Sequence, residues 1–433
     1  MTEHFYIHIP FCRQRCPYCK FALTPVFDEF KKRRYIEYLK REIYTYFGWW
    51  EAVNSVGFGG RNCLSQIKSN TEIAKWASFS PPNAFDTFGT KSMENCVWKK
   101  QQKTIYFGGW TPSVLSHDEI FEILECFPFW TSPPFRGSQR GYPESTPPSL
   151  PYKGRNPEVE NLEITMEMNP EDVTPEYIEW VLALGVNRIS LGIQTLNETS
   201  LKEIHRSDRN TIFGALGSIG SALLLTSGNI SLNVDFILGL PFVKTGETLA
   251  GIQELHTRFP YITHTSVYML EDESYPRHWR ENSITEDEMQ SEFLAIMDYF
   301  ESTWWHHYEL SNFAKPGYES VHNQAYWDHS ETRGFGLSAA SHEGGQRWSN
   351  SSSFTAYYAG KRDNEEILTP ADIRLEQMMF WLRRDGWKYD KESKKLSTLI
   401  TECLLEIHEN RIKPTKTWIF VIDHILSELI SDL

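Results

Sequence analysis

The chain has 433 residues with 57 acidic and 43 Lys or Arg side chains, a formal net charge of −14. That length supports a large core and more than one domain. The acidic balance argues against nucleic acid or an anionic membrane surface as the main partner, and no run reaches the length of a membrane span.

The first predicted element is a strand, Phe5-Tyr6-Ile7-His8-Ile9, which alternates apolar or aromatic residues with His8. It begins so close to Met1 that no leader fits before it, and a cytoplasmic protein is expected. Pro10 and Phe11 end the strand, and Cys12, Cys16 and Cys19 follow at spacing C-x3-C-x2-C. A structural zinc site closes its shell with four protein ligands. Only three thiols stand here, and the first His after them is His117. Iron–sulfur clusters are held by thiolates at this kind of short spacing. With three of them, a cubane keeps one iron free for an external ligand. The plainer alternative is a chance cluster, or a disulfide with one Cys left over. Cys63, Cys96, Cys126 and Cys403 are scattered singly and read as thiols of a reducing compartment.

Downstream, Phe27 to Phe47 has the three-and-four spacing of a helix. Residues 48–100 carry no period and read as an insertion. A second strand, Thr104 to Phe107, runs into Gly108-Gly109-Trp110-Thr111-Pro112-Ser113, and a helix spans Ser116 to Cys126. Residues 129–158 are rich in Pro, Gly and Ser and read as a second insertion. The third strand is Glu163 to Glu167. Thr174 caps a helix that Gly185 stops. Arg188 to Ile193, Ile230 to Ile237 and His264 to Met269 are strands four to six, with helices near Glu198, over Thr211 to Leu225 and over Glu247 to Phe259. The alternation is that of parallel βα units. Six strands fall short of a closed eight-stranded barrel, so a partial (β/α)6 barrel over residues 1–285 is expected. Residues 286–433 read as a separate, smaller mixed region with one dense aromatic stretch, Trp304 to Trp327, and a final helical pattern over Trp418 to Ile430.

In a βα barrel the site forms where the strands end. The Cys loop, Gly108-Gly109, Glu167, Gln194 and Asp235 all fall there. Glycines let a ligand approach the backbone. Glu167, Gln194 and Asp235 offer acceptors for ammonium or ribose groups, and Arg206 can pair a carboxylate. Singly, a Gly pair is more often a turn, and each polar group could satisfy buried backbone.

The strand-plus-Cys motif resembles the radical S-adenosylmethionine (SAM) superfamily. With Phe-Gly-Gly-Trp-Thr-Pro-Ser, Glu-Met-Asn-Pro, Ser-Leu-Gly-Ile-Gln, His-Arg and Val-Asp-Phe-Ile-Leu-Gly-Leu-Pro, the chain resembles the HemN/HemW group within it. The likeness covers most of residues 4–47 and 103–345. It implies the partial barrel, a 4Fe–4S cluster on Cys12, Cys16 and Cys19, and SAM contacts at Tyr6, Tyr18, Gly109, Trp110, Thr111, Glu167, Gln194, Arg206 and Asp235. Trp110 departs from the group, which usually has a third Gly there. Phe21 stands where the oxidase branch, the oxygen-independent coproporphyrinogen III oxidases, carries a fourth Cys. His322-Asn323-Gln324-Ala325-Tyr326-Trp327 resembles the H-N-x-x-Y-W run that the heme-chaperone branch associates with heme. Against this stands a buried His in an aromatic core. The resemblance thus implies heme, with His322 as a ligand, and a hemoprotein acceptor as partners. It allows a homodimer and a membrane contact made through the acceptor. The oxidase, which decarboxylates a propionate by radical chemistry, is the alternative reading.

Overall fold

The computed structural model describes residues 2–13, 15–19, 28–48, 103–130, 161–225, 230–270 and 275–384, and residues 386–426 except 389–393, 403, 409–410, 417–419, 421 and 423–424. Phe21, nearly all of both expected insertions and most of the helix expected over Trp418 to Ile430 lie outside the described residues.

Six parallel strands form the centre: β1 (His4–Ile9), β2 (Lys103–Gly109), β3 (Leu162–Met168), β4 (Arg188–Gln194), β5 (Ser231–Leu238) and β6 (His264–Met269), paired in chain order. Helices α1 (Glu29–Tyr46), α2 (His117–Leu124), α3 (Pro175–Ala183), α4 (Glu198–Glu203), α5 (Arg209–Leu225) and α6 (Glu247–Arg258) alternate with them. The starts are set by caps that the sequence carries. Ser116 and Glu119 form a capping box on α2, and the Thr174 hydroxyl accepts from Tyr177 N at the head of α3. Gly185, at φ 96°, turns the chain out of α3, a conformation in which a Cβ is penalised.

Each central strand has two faces. Phe5, Ile7, Ile9, Ile105, Phe107, Ile164, Met166, Ile189, Leu191, Leu232, Val234 and Phe236 pack with the helices into one apolar core. The alternate residues are polar and bond one another across the strands: His4 to Thr104, Tyr106 to Glu167, Ser190 to Asp235, Asn233 to Ser266 and His264 to Asn233. The barrel interior is therefore a polar lumen.

The sheet does not stop at β6. After α7 (Arg277–Arg280) and α8 (Glu286–Ser302), the hairpin β7 (His306–Glu309) and β8 (Asn312–Ala314) adds antiparallel to β6. Helix α9 (Val321–Trp327) leads to β9 (Thr332–Phe335), which lies parallel to β1 on its other side. Strands β10 (Ala340–Glu343), β11 (Gln346–Asn350) and β12 (Arg362–Ile367) continue outward antiparallel, with α10 (Phe354–Tyr358) between the last two. The expected boundary at 285 thus falls inside one twelve-stranded sheet. The reason is that β1 and β6 would otherwise be bare edges, and residues 306–367 pair with both.

A second, small core forms later, from Met378, Leu382, Leu399, Leu405, Ile412, Ile425 and their neighbours. It joins α11 (Pro370–Leu382) and α12 (Lys394–Thr401) to the antiparallel strands β13 (Trp387–Lys388), β14 (Leu405–His408) and β15 (Arg411–Pro414). Among the described residues no helix is long and apolar enough to cross a membrane.

Candidate functional site

Cys12, Cys16 and Cys19 sit on the loop that leaves the carboxyl end of β1, with Cys12 and Cys16 buried and Cys19 half-buried. Cys19 N donates to Cys16 O at 3.0 Å, so the last two thiols are joined by a turn. The loop is tied to its neighbours by Arg13, whose Nε meets Asp172 Oδ1 at 2.6 Å, while Ser113 Oγ donates to Asp172 Oδ2 at 2.8 Å.

A relay of side chains then reaches the sulfurs. Arg206 Nη1 donates to Asn169 Oδ1 at 2.7 Å and Asn169 Nδ2 donates to Thr111 Oγ1 at 2.9 Å. Thr111 Oγ1 donates to Cys12 Sγ at 3.1 Å. Arg206 also faces Cys16, whose thiol is pushed up by burial and pulled back by that guanidinium and the Tyr18 hydroxyl. Tyr18 itself packs half-buried against Ile204, Ile237, Leu240 and Trp279. Arg206, Thr111 and Tyr18 were legible as candidates, but Asn169 and Asp172 were not. Asn169 lies inside the Glu-Met-Asn-Pro motif and reads from sequence as the residue that ends a strand.

Below this layer lie the carboxylates. Glu167 accepts from Tyr106 Oη at 2.8 Å and from Gly109 N at 3.1 Å. Burial lifts its carboxyl to about 7, with the Asp235 charge adding to the lift and the two donors opposing it. Asp235 accepts from Ser190 Oγ at 2.9 Å and Asn233 Nδ2 at 2.7 Å, and burial raises it too. Gly109 is at φ 111°, and a Cβ there would stand 2.8 Å from the His8 ring and 3.0 Å from Ile9 O. Only glycine fits. Gln194 is held at φ 73°, folded back over Gly192, where a Cβ would lie 2.9 Å from its Nε2. Its side-chain amide makes no hydrogen bond to the described residues. The Trp110 indole Nε1 is buried with no acceptor among the described residues.

Tyr6 stands deeper. Its hydroxyl meets His8 Nδ1 at 3.1 Å and its ring lies 5.9 Å from that of Tyr106. Tyr268 and Tyr326 approach the same space, close enough for the Glu167 charge to raise both phenols further after burial has done so. Yet they keep 44% and 42% of their surface open. The lumen is hollow at this level.

His322 enters the lumen from the opposite end of the barrel, where its ring stacks on that of Tyr106 with centroids 4.9 Å apart. Helix α9 crosses the amino ends of the strands, where Glu163 accepts from Val321 N and His322 N at 3.1 and 3.0 Å. The His322 ring is 1% exposed. Its Nδ1 meets Thr104 Oγ1 at 2.6 Å and its Nε2 meets Tyr326 Oη at 3.2 Å. In this structure both ring nitrogens are engaged.

The residues at the carboxyl mouth fit a thiolate-bound cluster and a small polar ligand. Hydroxyl and guanidinium donors point at the sulfurs, as iron–sulfur sites use to tune their clusters. The buried indole N–H of Trp110 meets no acceptor among the described residues. Among the described residues no three His, Cys, Asp or Glu side chains are grouped around a single metal-ion position.

No family model matches the chain. In sequence it is similar to the heme chaperone HemW of Lactococcus lactis subsp. lactis, 26% identical over 393 residues, covering 88% of this chain and 81% of that one. The HemW proteins of Bacillus subtilis (28% over 398 residues, 88% and 83%) and Escherichia coli (26% over 342 residues, 77% and 68%) are similar as well. In fold it is similar to the coproporphyrinogen III oxidase HemN of Escherichia coli, a radical SAM enzyme. The TM-score is 0.66 at 17% identity, over 99% of this chain and 90% of that one.

Proposed function

We propose, from the chain's place in the HemN/HemW group of radical SAM proteins, that it is a heme chaperone of the HemW type. It holds a 4Fe–4S cluster and SAM, binds heme and passes it to a hemoprotein. The observation that carries the reading is the sequence likeness to HemW proteins, which extends over 88% of the chain.

Cys12, Cys16 and Cys19 would hold the cluster. When bound, the cluster supplies an iron with an open position and a source of electrons beside SAM. The chain's own residues do the rest. The relay from Arg206 through Asn169 and Thr111 keeps a donor on Cys12 and fixes the loop. Gly109 leaves room for backbone approach. Glu167 and Asp235 present acceptors to ammonium and ribose hydroxyl groups, and Gln194 presents both a donor and an acceptor.

The test is a titration of the anaerobically reconstituted protein with heme, followed by transfer to an apo-hemoprotein such as apomyoglobin. Stoichiometric binding with a Soret band, and transfer that needs the intact cysteines, are expected. Decarboxylation of coproporphyrinogen without stoichiometric heme binding would replace this reading with the oxidase.

A further inference from the structure

Three loops of the carboxyl mouth meet on one buried carboxylate, Asp172. It closes the single-turn helix Pro170–Asp172 that follows β3, and its side chain is 1% exposed. Oδ1 accepts from Arg13 Nε at 2.6 Å, on the loop after β1. Oδ2 accepts from Ser113 Oγ at 2.8 Å, on the loop after β2. That hydroxyl in turn accepts from Asn169 N at 3.4 Å, at the end of β3. A buried carboxylate is tolerated where its oxygens are bonded and a cation is near. Here the loops that carry the site supply both.

Arg13 is the unusual partner. It directly follows Cys12, and its side chain is 63% exposed. An ion pair so open to water adds little to the stability of the fold. What the contact does fix is a position. It joins residues 159 apart in the chain and anchors the segment that begins at Cys12 to the end of β3. The other holds on the thiols act elsewhere: Thr111 Oγ1 on Cys12 Sγ, and the backbone turn from Cys19 N to Cys16 O. Thiols held in place before iron arrives spare the loop the ordering that cluster binding otherwise demands.

We propose that Asp172 is a positioning residue for the iron–sulfur cluster: through Arg13 it holds the Cys12–Cys16 segment in the arrangement that keeps the cluster bound. The proposal rests on the cluster reading and adds a residue that acts through another side chain, as outer-shell carboxylates do at metal sites. The two side chains form a neutral pair next to the first cysteine. Removing the carboxylate leaves a cation there, and removing the guanidinium leaves an anion. The reduction potential of a cluster follows the charge around it, so the two losses act on it in opposite directions.

The test uses the full chain, reconstituted anaerobically and then exposed to a ferrous-iron chelator, with cluster loss read from the visible iron–sulfur absorption. Asp172→Asn and Arg13→Gln should each lose the cluster about tenfold faster than wild type. The double variant should be no faster than either, because both substitutions break one contact. The contact is a single N–H to one oxygen, not a fork, so Arg13→Lys should stay within about twofold of wild type. The midpoint potential should rise in Asp172→Asn and fall in Arg13→Gln. A shift in the same direction in both would mean a loosened fold and would overturn the positioning role. If both single variants keep the cluster as long as wild type does, Asp172 has no such role, while the cluster and chaperone readings stand. If wild type takes up no cluster on its three cysteines, the cluster reading falls and the proposal with it.

Discussion

Glu167 has a carboxyl lifted to about 7 by burial, so near neutral pH it is divided between its neutral and ionised forms. A ligand that brings an ammonium or hydroxyl donors favours the carboxylate, and binding it costs the release of a proton when the carboxyl starts neutral. SAM should therefore bind more tightly as pH rises from about 6 to 8 and level off above that range. Glu167→Gln should weaken binding and abolish the slope. Calorimetric titration of the reconstituted protein in buffers of different ionisation enthalpy measures both affinity and proton release. A flat profile in wild type would remove Glu167 from the ligand shell. At this scale the sequence was informative where a residue type is rare for its place. Three close thiols and paired glycines stand out without any structure. Asn169 and Asp172 do not, because their importance comes from partners more than fifty residues away, at Thr111 and Ser113.

Among the elements, the six parallel strands were the most legible and β7 to β12 the least. β1 to β6 are long enough to show alternation, and β1 to β4 are followed by helices with side-chain caps. β7 to β10 span three or four residues each, too few for a period to declare itself. They earn their place by covering sheet edges, a requirement that only the assembled fold reveals. Helix α9 is a related case. Seven residues make a marginal helix, and it is held by what it meets. The buried Glu163 carboxylate accepts two of its first backbone N–H groups, and Thr104 meets His322. Glu163→Ala strips the carboxylate from those donors and should cost about 2–3 kcal/mol. Chemical denaturation measures the loss, and hydrogen exchange should show α9 losing protection ahead of β3. A loss under about 0.5 kcal/mol would mean that packing, not the carboxylate, seats the helix.

Across the whole molecule, the polar lumen makes stability a function of pH. His8 and His307 are pushed down to about 4, and His256 and His322 to about 3, by burial from an ordinary 6.5. His264 is lowered as well. These rings stay neutral in the fold but take up protons once unfolded, so their contribution is complete above about 6.5 and is lost as pH falls below it. Glu167 and Glu309 behave oppositely. Burial raises each from 4.5 to about 7. The fold keeps them protonated where the unfolded chain ionises them, so their contribution is present below about 4.5 and disappears as pH rises to 7. Asp235 and Glu42 are raised too and pull the same way. Five buried histidines outweigh these carboxyls on the acid side, and each net proton is worth about 1.4 kcal/mol per pH unit. Above about 6.5 the histidines no longer contribute to the slope, and the carboxyls alone tilt it downward until they ionise. The metal-free protein should therefore melt highest near pH 6.5, fall steeply below it and decline gently to about pH 7.5. Glu309 is the last residue of β7, on the far side of β6 from the Cys loop in strand order, so Glu309→Gln should flatten the gentle decline without moving the acid limb. Scanning calorimetry of both proteins from pH 5 to 8 measures this. A wild-type melting temperature that climbs steadily through pH 7.5 would mean that the buried carboxyls ionise freely in the fold, and that the lumen is far better solvated than its hydrogen bonding implies.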